Sequence, residues 1–198
     1  YKDGKKIMQV LRGLHKEGKL NKQQARPFAT RRPPEELYDL DSDPYELVNL
    51  ALEPRHQNNL LAMRKILFQK MIETRDVGLI PEPILEDLGR EAGNKYKVFL
   101  DNDPRDQICR LIDVITSGEA NNVAKLLEYT KSPDPSTRYW AAVWLGVNKT
   151  ADSKATLLKL TADPVPAIRV VAAQALCKLG DLSQLKLLIE HINDPNLL

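Results

Sequence analysis

The sequence predicts a mainly α protein, in which a small α+β segment is followed by an α-solenoid of stacked helix pairs. Three observations predict it. Pro-containing pairs recur at Ser132-Pro133, Asp163-Pro164 and Asp194-Pro195, each 31 positions after the last, and Pro104, Pro135 and Pro166 keep the same interval. Apolar pairs keep step at Leu126-Leu127, Leu157-Leu158 and Leu188-Ile189. The stretch Arg138-Tyr139-Trp140-Ala141-Ala142 aligns on Arg169-Val170-Val171-Ala172-Ala173 at that offset. One offset shared by so many positions marks an internal repeat.

From the amino end, Ile7, Val10, Leu11 and Leu14 sit at helical spacing within Lys5 to His15. Gly18 ends that helix, and Asn21 caps a second short one through Ala25. Pro27 and Pro33-Pro34 enclose a loop. Glu36-Leu37-Tyr38-Asp39-Leu40 reads as a short strand bounded by turn residues, with Tyr38 and Leu40 facing a core. Asp43-Pro44-Tyr45-Glu46 reads as a helix start, with an acidic cap, Pro in the first turn and Glu behind it. Pro54 opens a longer helix that carries Leu60, Arg64, Leu67 and Met71 along one side to about Thr74. Residues Val77 to Lys97 are rich in Gly, Pro and charge, the composition of a linker. The expected organisation is therefore a segment 1–76, a linker 77–100 and a repeat domain 101–198.

Within the repeats, Pro breaks one helix and opens the next, because it fits a first helical turn and not an interior. Ala pairs let neighbouring helices approach closely, and the Leu-Leu positions supply a buried stripe. Two helices of about a dozen residues and two turns fill each unit. A single pair cannot bury both faces, so the units must stack. The residues Asp163-Pro164 through Ile168-Arg169 and Ala172-Ala173-Gln174-Ala175-Leu176 resemble short HEAT-like repeats, a variety found also in phycobilin lyases. The resemblance covers about Asp101 to Leu198. Pro104 to Tyr129 diverges most and reads as a capping repeat, and Asp194-Pro195-Asn196-Leu197-Leu198 ends inside a unit.

The stretch Glu36 to Ala51, Glu-Leu-Tyr-Asp-Leu-Asp-Ser-Asp-Pro-Tyr-Glu-Leu-Val-Asn-Leu-Ala, resembles the carboxy-terminal signature of the sulfatase family. Leu14 to Leu20 and the stretch from Met63-Arg64 to Arg75-Asp76 resemble it too, nearest to bacterial arylsulfatases and the heparan N-sulfatase type. The match covers roughly Tyr1 to Glu82. It implies a piece of the smaller subdomain of such an enzyme, exported to the periplasm or outside the cell. It also implies a partner, the catalytic domain of the same polypeptide. The family's nucleophile is a formylglycine made from Cys or Ser before x-Pro-Ser-Arg, assisted by calcium. Neither Cys109-Arg-Leu-Ile-Asp nor Cys177-Lys-Leu-Gly-Asp fits that motif. No catalytic residue, metal ligand or cofactor is therefore assigned to this chain. A first residue of Tyr rather than Met suggests a fragment.

Composition limits the remaining classes. Lys and Arg number 29 against 27 Asp and Glu, a net charge of +2 that gives no field for nucleic acid. The run Arg31-Arg32 is followed by Glu35 and Glu36. No apolar stretch approaches the roughly 18 residues of a membrane span. Cys109 and Cys177 lie 68 positions apart among apolar helix residues and read as reduced core thiols. Asp39, Asp41 and Asp43 alternate like calcium-loop ligands but lack the glycine turn and later bidentate acid. His15, His56 and His191 are scattered and form no triad or metal cluster by spacing.

Arg138 and Arg169 recur and suit either of two roles: tying a turn of one unit to its neighbour, the favoured one, or binding a ligand. Tyr139, Trp140 and Trp144 share one helix and serve packing first. Tyr139 and Trp144 are also the candidate interaction surface, for a protein or glycan partner. Two other functions stay open: a stand-alone helical-repeat interaction module, and, less well supported, a repeat-containing chromophore lyase.

Overall fold

The computed structural model describes residues 4–29, 33, 35–100 and 103–191. Arg31-Arg32, Pro34 and the third Pro-containing pair, Asp194-Pro195, lie outside the described residues, as does the end of the last repeat. The protein is mainly α, and no strand occurs among the described residues. It divides into two compact units, Tyr1–Arg64 and Lys65–Leu198.

In the first unit, α1 (Lys6–Lys16) stops where the Gly18 backbone turns left-handed, with φ 66°. Gly18 N–H donates to the His15 carbonyl and Lys19 N–H to that of Leu14, which closes the helix end. Asn21 then caps α2 (Lys22–Ala25) reciprocally with Gln24, and a 3-10 turn Arg26–Phe28 follows. These elements agree with the sequence.

Two others differ. Residues 36–40 are extended but form no strand, because only one backbone bond, Leu50 N–H to the Leu37 carbonyl, takes the place of a ladder. Leu37 is the buried side chain there, and Leu40 is 59% exposed. Asp43 to Glu46 is a turn rather than a helix start. Glu46 has φ 55°, which no right-handed helix accommodates, and the Asp43 carboxylate accepts from Val48 N–H. The helix begins later, with a 3-10 turn at Pro54–His56 leading into α3 (Gln57–Glu73).

The second unit carries the repeats. Long helices α5 (Arg105–Glu119), α7 (Pro135–Val147) and α9 (Pro166–Lys178) stack side by side. Short helices α6 (Val123–Tyr129), α8 (Lys154–Leu160) and α10 (Leu185–Glu190) pack against them. Pro135 and Pro166 occupy the first turns of α7 and α9, and the Asp134 carboxylate accepts from Thr137 N–H. The second helix of each pair has six or seven residues rather than a dozen, since turns such as 148–153 consume the difference.

The core runs through Val114, Leu126, Ala141, Leu145, Leu157, Ile168 and Leu176, all fully buried. Gly118 lets α5 touch the Trp144 indole, because a Cβ there would overlap the ring. Residues 77–100, expected as a linker, are packed instead. They form α4 (Glu82–Ala92) and a 3-10 turn Lys95–Phe99. Ile80, Ile84 and Phe99 join Ile108, Leu111 and Ala167 in a second apolar cluster. Gly93 and the charges mark a helix end and an outer face, while the buried residues between them hold the segment down. Trp140 Nε1 donates to the Leu79 carbonyl at 2.7 Å, tying this segment to α7.

Leu145→Ala is expected to lower the stability of the second unit by about 2–5 kcal/mol, the cost of a methylene void in a closed core. Urea denaturation followed by tryptophan fluorescence measures it, and a change below about 1 kcal/mol would contradict the packing described.

Candidate functional site

The recurring arginines serve the repeat turns. Arg138 Nε and Nη2 donate to the two Asp163 carboxylate oxygens at 2.8 and 3.0 Å, and Nη1 donates to the Ser132 and Pro133 carbonyls. Arg169 Nη1 repeats the second part on the Asp163 and Pro164 carbonyls. Its Nη2 lies 3.4 Å from His191 Nε2. The favoured reading, register rather than ligand capture, matches these contacts.

Tyr139 and Trp144, the candidate interaction surface, are half-buried in packing. Tyr139 meets Trp140 edge to face at 5.6 Å, and burial pushes its hydroxyl pKa up. Trp144 lies against Gly118. Within the first repeat, Asp113 pairs with Lys125 at 2.7 Å and accepts from the Tyr129 hydroxyl. Burial alone would raise the Asp113 carboxyl, and those two partners reverse the shift and lower it.

Cys109 is exposed on α5, against the expectation of a core thiol, because Ile108 and Leu111 take the inward positions. Cys177 is half-buried. The Asp39 and Asp43 carboxylates face local donors. Asp39 accepts from Asp41 N–H and the Ser42 hydroxyl, and Asp43 from Val48 N–H. No group of metal-ligating side chains occurs among the described residues. His15 stacks on Phe28 at 4.6 Å.

The first unit carries a groove of about 600 Å³ between residues 22–29 on one side and Leu47 to Asn49 on the other. Asn49 holds its wall. The Asn49 side-chain oxygen accepts from Leu37 N–H and Ala51 N–H, and its amide donates to the Glu35 carbonyl. Glu35 in turn receives the Arg64 guanidinium, with Nε at 2.6 Å, and that bond holds the Glu35 carboxyl below its ordinary range.

Arg26 is fixed on the groove by the Tyr38 hydroxyl at 2.6 Å and the Glu46 carbonyl at 2.8 Å. Its guanidinium stands 6.0 Å from the Tyr38 ring centre, and Glu36 approaches to 3.5 Å. The Tyr38 hydrogen bond, with the charges of Glu36 and Asp43, raises the Arg26 pKa further. The sequence does not single out Arg26 and Lys22, because the contacts that fix Arg26 come from Tyr38 and Glu46, 12 and 20 residues away.

Known proteins agree with both halves of the sequence reading. Residues 123–197 match the family of HEAT repeats. The helix pairs are HEAT-like repeats. A stretch of 82 residues, 41% of the chain, is 43% identical to an ulvan-active sulfatase from Formosa agariphila. The chain thus joins a sulfatase-related part to a HEAT-like stack. The match spans 14% of that relative's length. No solved structure matches the chain significantly.

The Glu35–Arg64 bond predicts an acid dependence. The folded carboxyl has the lower pKa, so its stabilisation is complete above the ordinary value of 4.5 and is lost as pH falls through the depressed folded value. Backbone NMR signals of Leu37 and Ala51 are expected to shift in that window in the native chain and to lose that step in Glu35→Gln. An identical acid profile in both would count against the assignment.

Proposed function

We propose that this chain is a non-catalytic carboxy-terminal part of a sulfatase-like hydrolase, with its helical repeats serving as a scaffold beside the enzyme. The parent would hydrolyse sulfate esters or N-sulfate, using a formylglycine and calcium held in a catalytic domain outside this chain. The parent would work in the periplasm or outside the cell. The observation that carries this reading is the 43% identity over 82 residues to a protein named as a sulfatase.

The first unit supports it physically. Its buried apolar residues among those described are Leu37, Ala51 and Leu60. Ile7, Val10, Leu52, Leu61 and Met63 stay exposed, Ile7 at 67% and Leu52 at 91%. So thin a core leaves apolar surface that another domain can cover. A large neighbouring domain would cover those side chains, and the catalytic domain of the same polypeptide fits that role. Tyr139 and Trp144 fit the scaffold role through their packing between repeats, and a protein or glycan partner would then meet other surfaces of the stack.

Two measurements test the proposal. This chain alone is expected to give no turnover of 4-nitrophenyl sulfate above background, and measurable hydrolysis would overturn the placement of the active site elsewhere. The complete reading frame is expected to encode Cys or Ser followed by x-Pro-Ser-Arg upstream. A frame without it would remove the sulfatase assignment and leave a repeat module.

A further inference from the structure

We infer that α1 is an interfacial helix that lays the first unit on the surface of an anionic phospholipid bilayer. The net charge of +2 is unevenly spread. Residues 1–32 carry ten Lys and Arg against two Asp and Glu, and the remaining residues 19 against 25. Within that basic stretch, α1 separates its side chains by kind. At about 3.6 residues per turn, Ile7, Val10, Leu11 and Leu14 share one face, Arg12 and Lys16 lie opposite, and Lys6 stands at the edge. No residue of α1 is buried, and Ile7 and Val10 are 67% and 54% exposed. Lys6 and Lys16 form no ion pair among the described residues. Of the cations that follow, Lys19 is paired with Glu17 at 2.7 Å and Arg26 approaches Glu36 at 3.5 Å.

A helix with an apolar stripe, a basic polar face and little net hydrophobicity lies in the plane of a membrane interface. Its apolar side chains enter the acyl boundary while its cations stay at the headgroups. With 11 residues, α1 rests on a bilayer without crossing it, and no described helix is long and apolar enough to cross. A helix about 10 Å across is close in thickness to the Debye length of about 8 Å, so cations on its far side still feel the lipid charge. A nucleic acid or another soluble polyanion would take the cations and leave Ile7 and Val10 in water. The bilayer accounts for both features. Leu52, Leu61 and Met63 remain the side chains for the catalytic domain to cover, whereas the charge around Ile7 and Val10 assigns those two to lipid. Membrane attachment goes beyond the sulfatase reading and does not rest on it.

The test is co-sedimentation of the full chain with vesicles of phosphatidylglycerol and phosphatidylcholine in equal parts, and with phosphatidylcholine alone, at about 0.1 M and about 0.5 M salt. The mixed vesicles are expected to bind the chain at least about tenfold more tightly than phosphatidylcholine, and the higher salt to remove most of that difference. Ile7→Ser with Val10→Ser leaves every charge in place and should weaken binding to mixed vesicles by about tenfold. Lys6→Glu with Lys16→Glu should weaken it by about a hundredfold. Both pairs replace exposed side chains, so the unfolding midpoint should stay that of the native chain. Lys159→Glu, a charge change in the repeats, should leave binding unchanged. The inference is overturned if mixed vesicles do not bind the chain, or if both vesicle types bind it equally. It also falls if Ile7→Ser with Val10→Ser binds as the native chain does, the result expected of a surface for nucleic acid or another polyanion. Absence of vesicle binding by the complete polypeptide would overturn it too, and would return Ile7 and Val10 to the catalytic domain. Each of these failures leaves the sulfatase reading standing, because hydrolysis and the upstream motif decide that reading separately.

Discussion

One guanidinium joins two adjacent repeats of the stack. Arg138 spans two units, holding the Ser132 and Pro133 carbonyls of its own turn while its fork takes both oxygens of Asp163, 25 residues on. The pair is largely out of water, with side-chain exposures of 14% and 5%. Buried pairs of this kind contribute little net stability over apolar replacements, yet breaking one side is costly. What the pair supplies is register. Asp163 also accepts from Val165 N–H, so the carboxylate that receives the arginine shapes the entry to α9. Once that turn is placed, Pro166 can open its helix and Ile168, Ala172 and Leu176 fall onto the core.

The two units differ in what they complete internally. The second has an apolar core continuous through three long helices and a second cluster beneath the 77–100 segment, which acts as the stack's first layer. The first is held mostly by polar pins: the Asn49 amide, the Glu35–Arg64 bond and the Arg26 contacts. Those pins fix a loop's path without enclosing much apolar surface. That balance suits a segment finished by another domain, and it also leaves a shaped, cation-lined groove.

Legibility in the sequence follows the same division. The repeat was readable because Pro, Ala and Leu recur at one offset and each has a strong local meaning. Gly18 and Asn21 were readable because caps act within four residues. The strand at 36–40 was misjudged because alternation signals a strand only when a partner supplies a ladder, and here a side chain, Asn49, takes that place. The turn at 43–46 carries helix-start residues, but Glu46 goes left-handed and Asp43 caps Val48 instead. Residues 77–100 looked like a linker because surface charge and Gly outnumber the few buried anchors, Ile80, Ile84 and Phe99. The groove was illegible because Tyr38 and Glu46, which fix Arg26, lie 12 and 20 residues away.

The most direct test of the account is a double-mutant cycle on the pair that joins the two repeats, using Arg138→Met and Asp163→Leu. Each single change is expected to cost about 3–5 kcal/mol in unfolding free energy, because it strands a buried charge. The double variant should recover much of that loss, giving a coupling of about 2 kcal/mol or more. Single variants within about 0.5 kcal/mol of the native chain, or strictly additive losses, would contradict the claim that this contact holds one repeat in register with the next.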